Sequence, residues 1–194
     1  MIEYIEGKLV EKNPAYAVID CNGIGYFINI SLNTYSGIPD KEKCKLLICQ
    51  IIREDAHTLY GFFTEEERAL FRLLISVSGV GANTARMILS SLKPPEINSA
   101  ILGNNVSLLK AIKGIGEKTA LRIIVDLRDK LGKSSALSEI SVGKDNTIKK
   151  EALSALIMLG FAKQPAEKVL DQILSKDGDT LSLEEVIKVA LSKL

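Results

Sequence analysis

The chain has 194 residues, 46% of them hydrophobic and 25% charged, and its 25 Lys+Arg against 24 Asp+Glu leave a net charge of +1. That is material for one or two cored domains, and the bulk charge announces no polyanion partner. No apolar run approaches the roughly 20 residues of a bilayer span, and Met1-Ile2-Glu3-Tyr4 lacks the basic opening of a signal peptide, so no membrane partner and a cytoplasmic location are expected.

The charge is unevenly spread. Residues 1–64 carry six basic and eight acidic groups, residues 65–132 ten and seven, and residues 133–194 nine of each. An anion partner is therefore expected at the middle segment. The three cysteines, Cys21, Cys44 and Cys49, have no C-x-x-C spacing, and His57 is the single histidine, so neither a disulfide framework nor a metal site is expected. With no Trp and 5% aromatics, a stacking platform for single-stranded bases is disfavoured.

Residues 1–64 read as β-structure. Ile2–Val10 alternates, Tyr16–Asp20 is followed by the hairpin dipeptide Asn22-Gly23, and Gly25–Ile30, Lys45–Arg53 and His57–Phe63 complete about five short strands. A small Greek-key barrel of the oligonucleotide-binding (OB) type is expected, and a sandwich would give similar signals. At Thr64-Glu65-Glu66-Glu67 the period changes to helical, with a hydroxyl cap and an acidic first turn. The helical pattern runs to about Leu131, broken by Gly pairs and by Pro94-Pro95. Residues 133–146 are polar and aperiodic and read as a flexible linker. Residues 147–194 read as three short helices, the first ended by Gly160, the second starting near Pro165, the third opened by the capping box Ser182–Glu185.

The middle segment repeats at an offset of 35. Ser78-Gly79-Val80-Gly81-Ala82-Asn83-Thr84-Ala85 aligns with Lys113-Gly114-Ile115-Gly116-Glu117-Lys118-Thr119-Ala120. Each copy reads as helix, Gly-apolar-Gly, helix. Glycines allow a tight turn and close backbone approach, Val80 or Ile115 anchors the turn in the core, and the next helix presents amides suited to a phosphate. Thr84 and Thr119 add hydroxyls, and Lys118 and Arg122 add charge. Such a site holds backbone without reading base sequence. The plain alternative is a turn that merely joins two helices; two copies at one offset, both followed by Thr-Ala, favour phosphate. A nucleotide-binding P-loop is disfavoured because Glu117 separates Gly116 from Lys118.

These paired motifs resemble tandem helix-hairpin-helix elements. Together with the opening Met1–Gly7 and the segment Arg53-Glu54-Asp55-Ala56-His57-Thr58-Leu59-Tyr60-Gly61-Phe62, they make the whole chain similar to the RuvA family, the Holliday-junction-binding subunit of the bacterial RuvAB branch-migration complex. The resemblance implies a multi-domain α+β protein. An OB-like β-barrel over 1–64 would mediate tetramerisation and carry an acidic pin, Glu54 and Asp55. A tandem helix-hairpin-helix domain over 65–132 would bind DNA, a linker would cover 133–146, and a three-helix module over 147–194, akin to ubiquitin-associated domains, would bind the motor. From the residues alone Glu54-Asp55 reads as a solvated hairpin tip.

It further implies a non-catalytic scaffold without cofactor or metal. Its partners would be four-way junction DNA, copies of itself as a homotetramer or octamer, the RuvB ATPase and the RuvC resolvase. The expected phosphate-binding set is Gly79, Val80, Gly81, Asn83, Thr84, Arg86, Gly114, Ile115, Gly116, Lys118, Thr119 and Arg122. The family's first hairpin usually carries a Lys where this chain has Ala82-Asn83; Arg86, one turn on, is the candidate to compensate. Leu156, Leu159, Phe161 and Ile187 are the candidate motor contacts. Two rivals stand beside this reading. One is a helix-hairpin-helix glycosylase or nuclease using Asp126 or the Glu65-Glu66-Glu67 cluster, and the other is a simple adaptor without junction preference.

Overall fold

The computed structural model describes residues 1–39, 42–139, 144–177 and 181–194. They divide into two compact units, Met1–Lys133 and Ser134–Leu194.

The first unit opens with strands β1 (Tyr4–Asn13), β2 (Tyr16–Cys21) and β3 (Ile24–Ile30), a short helix α1 (Leu32–Gly37), then β4 (Lys43–Ile52) and β5 (His57–Phe62). The strands close into a barrel in the order β1-β2-β3-β5-β4, with β4 returning to β1 from Tyr4↔Leu47 to Lys8↔Lys43. Closure gives every strand two neighbours, the β3–β5 seam being only Asn29↔Tyr60 and Ile30↔Gly61, and all pairs are antiparallel except β3 with β5. The side-chain period of two sends Ala17 and Ile19, Ile28 and Ile30, and Leu46 and Ile48 inward. The β2–β3 turn sits on Asn22 and Gly23 at φ +54° and +90°, as the dipeptide predicts.

Helix α1 gives no sequence period because six residues make less than two turns. Ser31 caps it by accepting from the Thr34 amide at 3.0 Å. Its role is tertiary: Asn33 Nδ2 donates to the carbonyls of Leu89 (2.5 Å) and Leu92 (2.9 Å), and Ser90 Oγ accepts from the Leu32 amide at 3.2 Å.

Helices α2 (Glu65–Ile75), α3 (Ala82–Ser91), α4 (Pro94–Leu102), α5 (Val106–Lys110) and α6 (Glu117–Glu139) follow. Thr64 caps α2 as its sequence predicts, accepting from the Glu67 amide at 3.3 Å. Leu70, Phe71, Leu74, Val77, Ile88, Leu89, Ile101, Leu109, Ile123 and Leu127 share one core with Tyr60 and Phe62 of β5. The Phe71 ring lies 5.1 Å from Tyr60 and 4.9 Å from Phe62, centroid to centroid, so the barrel wall and the helices bury one apolar surface.

Two buried polar groups brace that joint. The Arg68 guanidinium lies 2.6 Å from both the Glu3 and Glu65 carboxylates and donates to the Glu3 carbonyl at 3.0 Å. Beside it Glu67, 3% exposed, accepts from Ser31 Oγ and from Thr34 Oγ1 at 2.7 Å. Burial raises the Glu67 carboxyl pKa, and the two hydroxyls partly offset this.

Helix α6 runs further than the sequence suggests. The aperiodic 133–146 segment is helical through Glu139 and again from Lys144, while 140–143 lie outside the described residues. Gly132 costs about 1 kcal/mol against Ala in a helix, too little to end one that continues into a stretch without Pro.

In the second unit α7 (Lys144–Met158), α8 (Lys163–Asp177) and α9 (Leu183–Leu191) enclose Ala152, Leu156, Ala166, Leu170, Ile173, Val186 and Ala190. Gly160 at φ +99° follows α7, with the Phe161 amide bonded back to the Leu156 carbonyl at 3.1 Å. The Ser182–Glu185 capping box opens α9.

Candidate nucleic-acid interface

The two hairpins are the same object built twice. In the first, the Val77 amide donates to the Leu74 carbonyl (3.1 Å), Val80 to Val77 (3.0 Å) and Ala85 to Gly81 (2.9 Å). In the second, Ile112 donates to Leu109 (3.2 Å), Ile115 to Ile112 (3.1 Å) and Ala120 to Gly116 (2.9 Å). Each pair is 35 residues apart. Gly79 and Gly114 turn the chain at φ +88° and +89°, where a Cβ is strained, and Val80 and Ile115 are each 5% exposed, anchored in the core.

The second glycine of each pair has a different meaning. Gly81 has φ −82°, open to any residue, and a Cβ at Gly81 or Gly116 would meet nothing within 4 Å. The fold itself demands no glycine there, whereas an outside backbone approaching closely would. Gly81 also caps α3 without a side-chain bond, so the amides of Ala82, Asn83 and Thr84 precede the first helical hydrogen bond and face the opening. Thr84 and Thr119 are half-buried, and Lys118 and Arg122 are exposed on the first two turns of α6.

Three side chains of the expected set have partners within the protein. Asn83 Oδ1 accepts from the Tyr60 hydroxyl at 3.2 Å. Arg122 Nη1 donates across to the Ser78 carbonyl at 3.3 Å. Arg86 requires a correction. Its Nη1 donates to the Ala15 carbonyl and to Asn29 Oδ1, both at 3.0 Å. It lies on the side of α3 that meets the barrel, so its charge braces the joint instead of compensating for the missing Lys.

Glu54 and Asp55 form the exposed tip of the β4–β5 hairpin, closed by the Arg53 amide donating to the Ala56 carbonyl at 2.8 Å. The stem of this hairpin and the start of α3 share a cleft of about 230 Å³ lined by Arg53, Asp55, Thr58, Gly81, Asn83 and Thr84. The acidic tip and the first hairpin thus belong to one surface. Sequence reasoning missed the cleft and the Tyr60 contribution, because Tyr60 and Asn83 meet only through the tertiary fold.

In the second unit Leu156 also requires a correction. It is fully buried against Ala166, Leu170 and Val186 and is a core residue, not a contact. Leu159 is 60% exposed, and Phe161 and Ile187 are half-buried. Met158, 87% exposed, was not singled out; the 100° step per residue turns it away once Leu156 faces the core. Among the described residues no group of three His, Cys, Asp or Glu side chains could hold a metal, and no helix is long and apolar enough to cross a membrane.

A five-stranded barrel joined to a tandem helix-hairpin-helix unit, followed by a three-helix unit, defines a modular DNA-binding protein of the helix-hairpin-helix class. Family models agree segment by segment: "RuvA N terminal domain" matches residues 1–61, "SAM-like Helix-hairpin-helix tandem" residues 71–129, and "RuvA, C-terminal domain" residues 148–194. The chain belongs to the RuvA family. It is 53% identical over 194 residues to the Holliday junction branch migration complex subunit RuvA of Christiangramia forsetii, with both chains covered completely. The proteins of the same name from Bacteroides fragilis and Flavobacterium psychrophilum are 53% and 50% identical, again over the full length of both chains.

Proposed function

We propose that this protein is a non-catalytic scaffold that recognises four-way DNA junctions, holds them open, and recruits the RuvB ATPase for branch migration in recombination and repair. The observation that carries this is the duplicated hairpin: two identical hydrogen-bond frames, each presenting helix-start amides beside a glycine the fold itself does not need. Each frame grips a phosphate, the first through the amides of 82–84 with Asn83 and Thr84, the second with the Thr119 hydroxyl and with Lys118 and Arg122 adding charge.

A subunit with two such grips binds weakly alone. A homotetramer, or two facing tetramers as an octamer, multiplies them without new contacts. The carboxylates of Glu54 and Asp55 then repel phosphates at the centre and favour strand separation. In the second unit, exposed Leu159 with Phe161 and Ile187 docks the motor, which supplies the ATP-driven step, and RuvC acts on the same junction. The Asp126 and Glu65–Glu67 rival readings draw no support from the cleft, whose carboxylate is Asp55.

The test is a gel-shift titration of a four-way junction against linear duplex of the same arm sequences across salt. Junction preference with a steep salt slope, about −0.9 per phosphate neutralised, is the expected result. Equal affinity for both DNAs would leave two generic phosphate grips and return the adaptor reading.

A further inference from the structure

The two hairpins share a backbone but differ in their polar side chains. Where the second carries the exposed Lys118, the first carries Asn83, and only the first has a buried tyrosine behind it. Among the described residues no tyrosine hydroxyl bonds to the first turn of α6, so the second hairpin has no counterpart there. Tyr60 is 6% exposed, its ring fixed against Phe71 in the shared core, and its hydroxyl emerges at the first turn of α3.

A surface asparagine is an ambiguous group: its amide turns about χ2 and shows either an acceptor oxygen or a donor NH2. Turned one way it binds a phosphate oxygen, and turned the other way it repels one. The Tyr60 hydroxyl donates to Oδ1 and occupies the acceptor end. The NH2 end keeps both its donors, and Asn83, an exposed residue, lines the cleft together with Thr84 at the first turn of α3. The ring cannot swing away, so the orientation is set before any ligand arrives.

We propose that Tyr60 is a positioning residue of the first hairpin, its buried hydroxyl fixing the Asn83 amide as a neutral donor to a DNA phosphate. This rests on the phosphate reading above and deepens it: the first grip works by oriented dipoles and the second by charge. Asn83 therefore adds affinity without adding to the counterions released, whereas Lys118 adds both. A lysine at position 83 would need no such orientation, being a flexible point charge with three donors.

The experiment uses the full-length protein and a labelled four-way junction, titrated over a salt series, with Tyr60→Phe, Asn83→Ala, Asn83→Lys and the two double variants. Tyr60→Phe keeps the packed ring and is expected to weaken binding about fivefold, the worth of one oriented hydrogen bond, with an unchanged salt slope. Asn83→Ala tests the same contact from the surface without touching the core. In either the Asn83→Ala or the Asn83→Lys background the Tyr60→Phe change should become silent. Equal affinity of Tyr60→Phe and wild type, or equal weakening in all three backgrounds, overturns the assignment in favour of a packing role. Wild-type binding without salt dependence would overturn the phosphate reading and this assignment with it; a steep wild-type slope with a silent Tyr60→Phe overturns the assignment alone.

Discussion

The guanidinium of Arg122, on the helix that leaves the second hairpin, donates to the carbonyl of Ser78 in the loop of the first at 3.3 Å. Ser78 Oγ lies 3.4 Å from the same nitrogen, so one side chain ties the two turns together. Lys130, two turns further along the same helix, adds a bond to Ser76 Oγ at 3.2 Å. The spacing of the two grips is thereby held by side chains of the second hairpin.

Arg122→Lys keeps the charge but loses the planar fork that spans loop and solvent. Junction affinity is expected to fall by about fivefold, the worth of one hydrogen bond, while the salt slope stays near that of wild type. A salt-series titration reads both quantities. A slope lowered as far as in a charge-removing variant would mean the bond to Ser78 is incidental.

Lys118 and Arg86 are both basic groups following a hairpin, yet opposite outcomes are expected. Lys118→Ala should reduce the log–log salt slope by about 0.9 and weaken junction and duplex alike. Arg86→Ala should leave the slope unchanged and lower stability by about 1–3 kcal/mol, since two hydrogen bonds to the barrel are lost. Urea unfolding beside the titration separates the two.

The buried Glu67 carboxyl makes stability depend on pH. Burial is the main cause that raises its folded-state pKa above the unfolded value. The protonated form is therefore favoured by folding: its contribution is full below the ordinary carboxylate range and is lost as pH rises through the raised folded value. Glu67→Gln mimics that form and is expected to flatten the dependence between a pH within the ordinary carboxylate range and one well above it, without loss of stability at the higher pH. Glu67→Ala orphans the Ser31 and Thr34 hydroxyls and should cost about 1–3 kcal/mol. Denaturant midpoints at the two pH values decide it, and a stability curve for Glu67→Gln as steep as wild type would count against the carboxyl.

Glu54→Gln with Asp55→Asn changes exposed groups at a hairpin tip, so unfolding midpoints should not move. Junction binding is expected to persist while branch migration with the RuvB ATPase changes. An unaltered migration rate would reduce the tip to a solvated turn.

Local chemistry made much of this fold legible. Asn22-Gly23, Thr64, Gly160 and Ser182 each satisfy a backbone requirement within a few residues, and all sit where their neighbours imply. The 35-residue repeat located both hairpins because its glycines and core anchors recur in step. What stayed hidden depends on distant partners. Arg86 reaches groups 71 and 57 residues away, so its spacing to the hairpin gave no sign of the bonds it makes to the barrel. Leu156 was indistinguishable from Leu159 until three helices chose which would be inside. Helix α1 was too short to show a period, and the bonds of its Leu32 and Asn33 to α3 join residues more than 50 positions apart.

Helix α3 is held near its start by Tyr60 through Asn83, along its side by Ala15 and Asn29 through Arg86, and at its end by Asn33, every one of these partners belonging to the barrel or to α1. It is a strut clamped at three points along its length. A tug on a DNA arm seated at its start would be delivered into a closed ring of strands, which resists shear better than a lone helix pair. The second hairpin, tied to the first by Arg122 and Lys130, rides on that strut. Under the proposed function, recoil from a duplex drawn past the scaffold would pass from the grip to the barrel wall, sparing the hairpin turns.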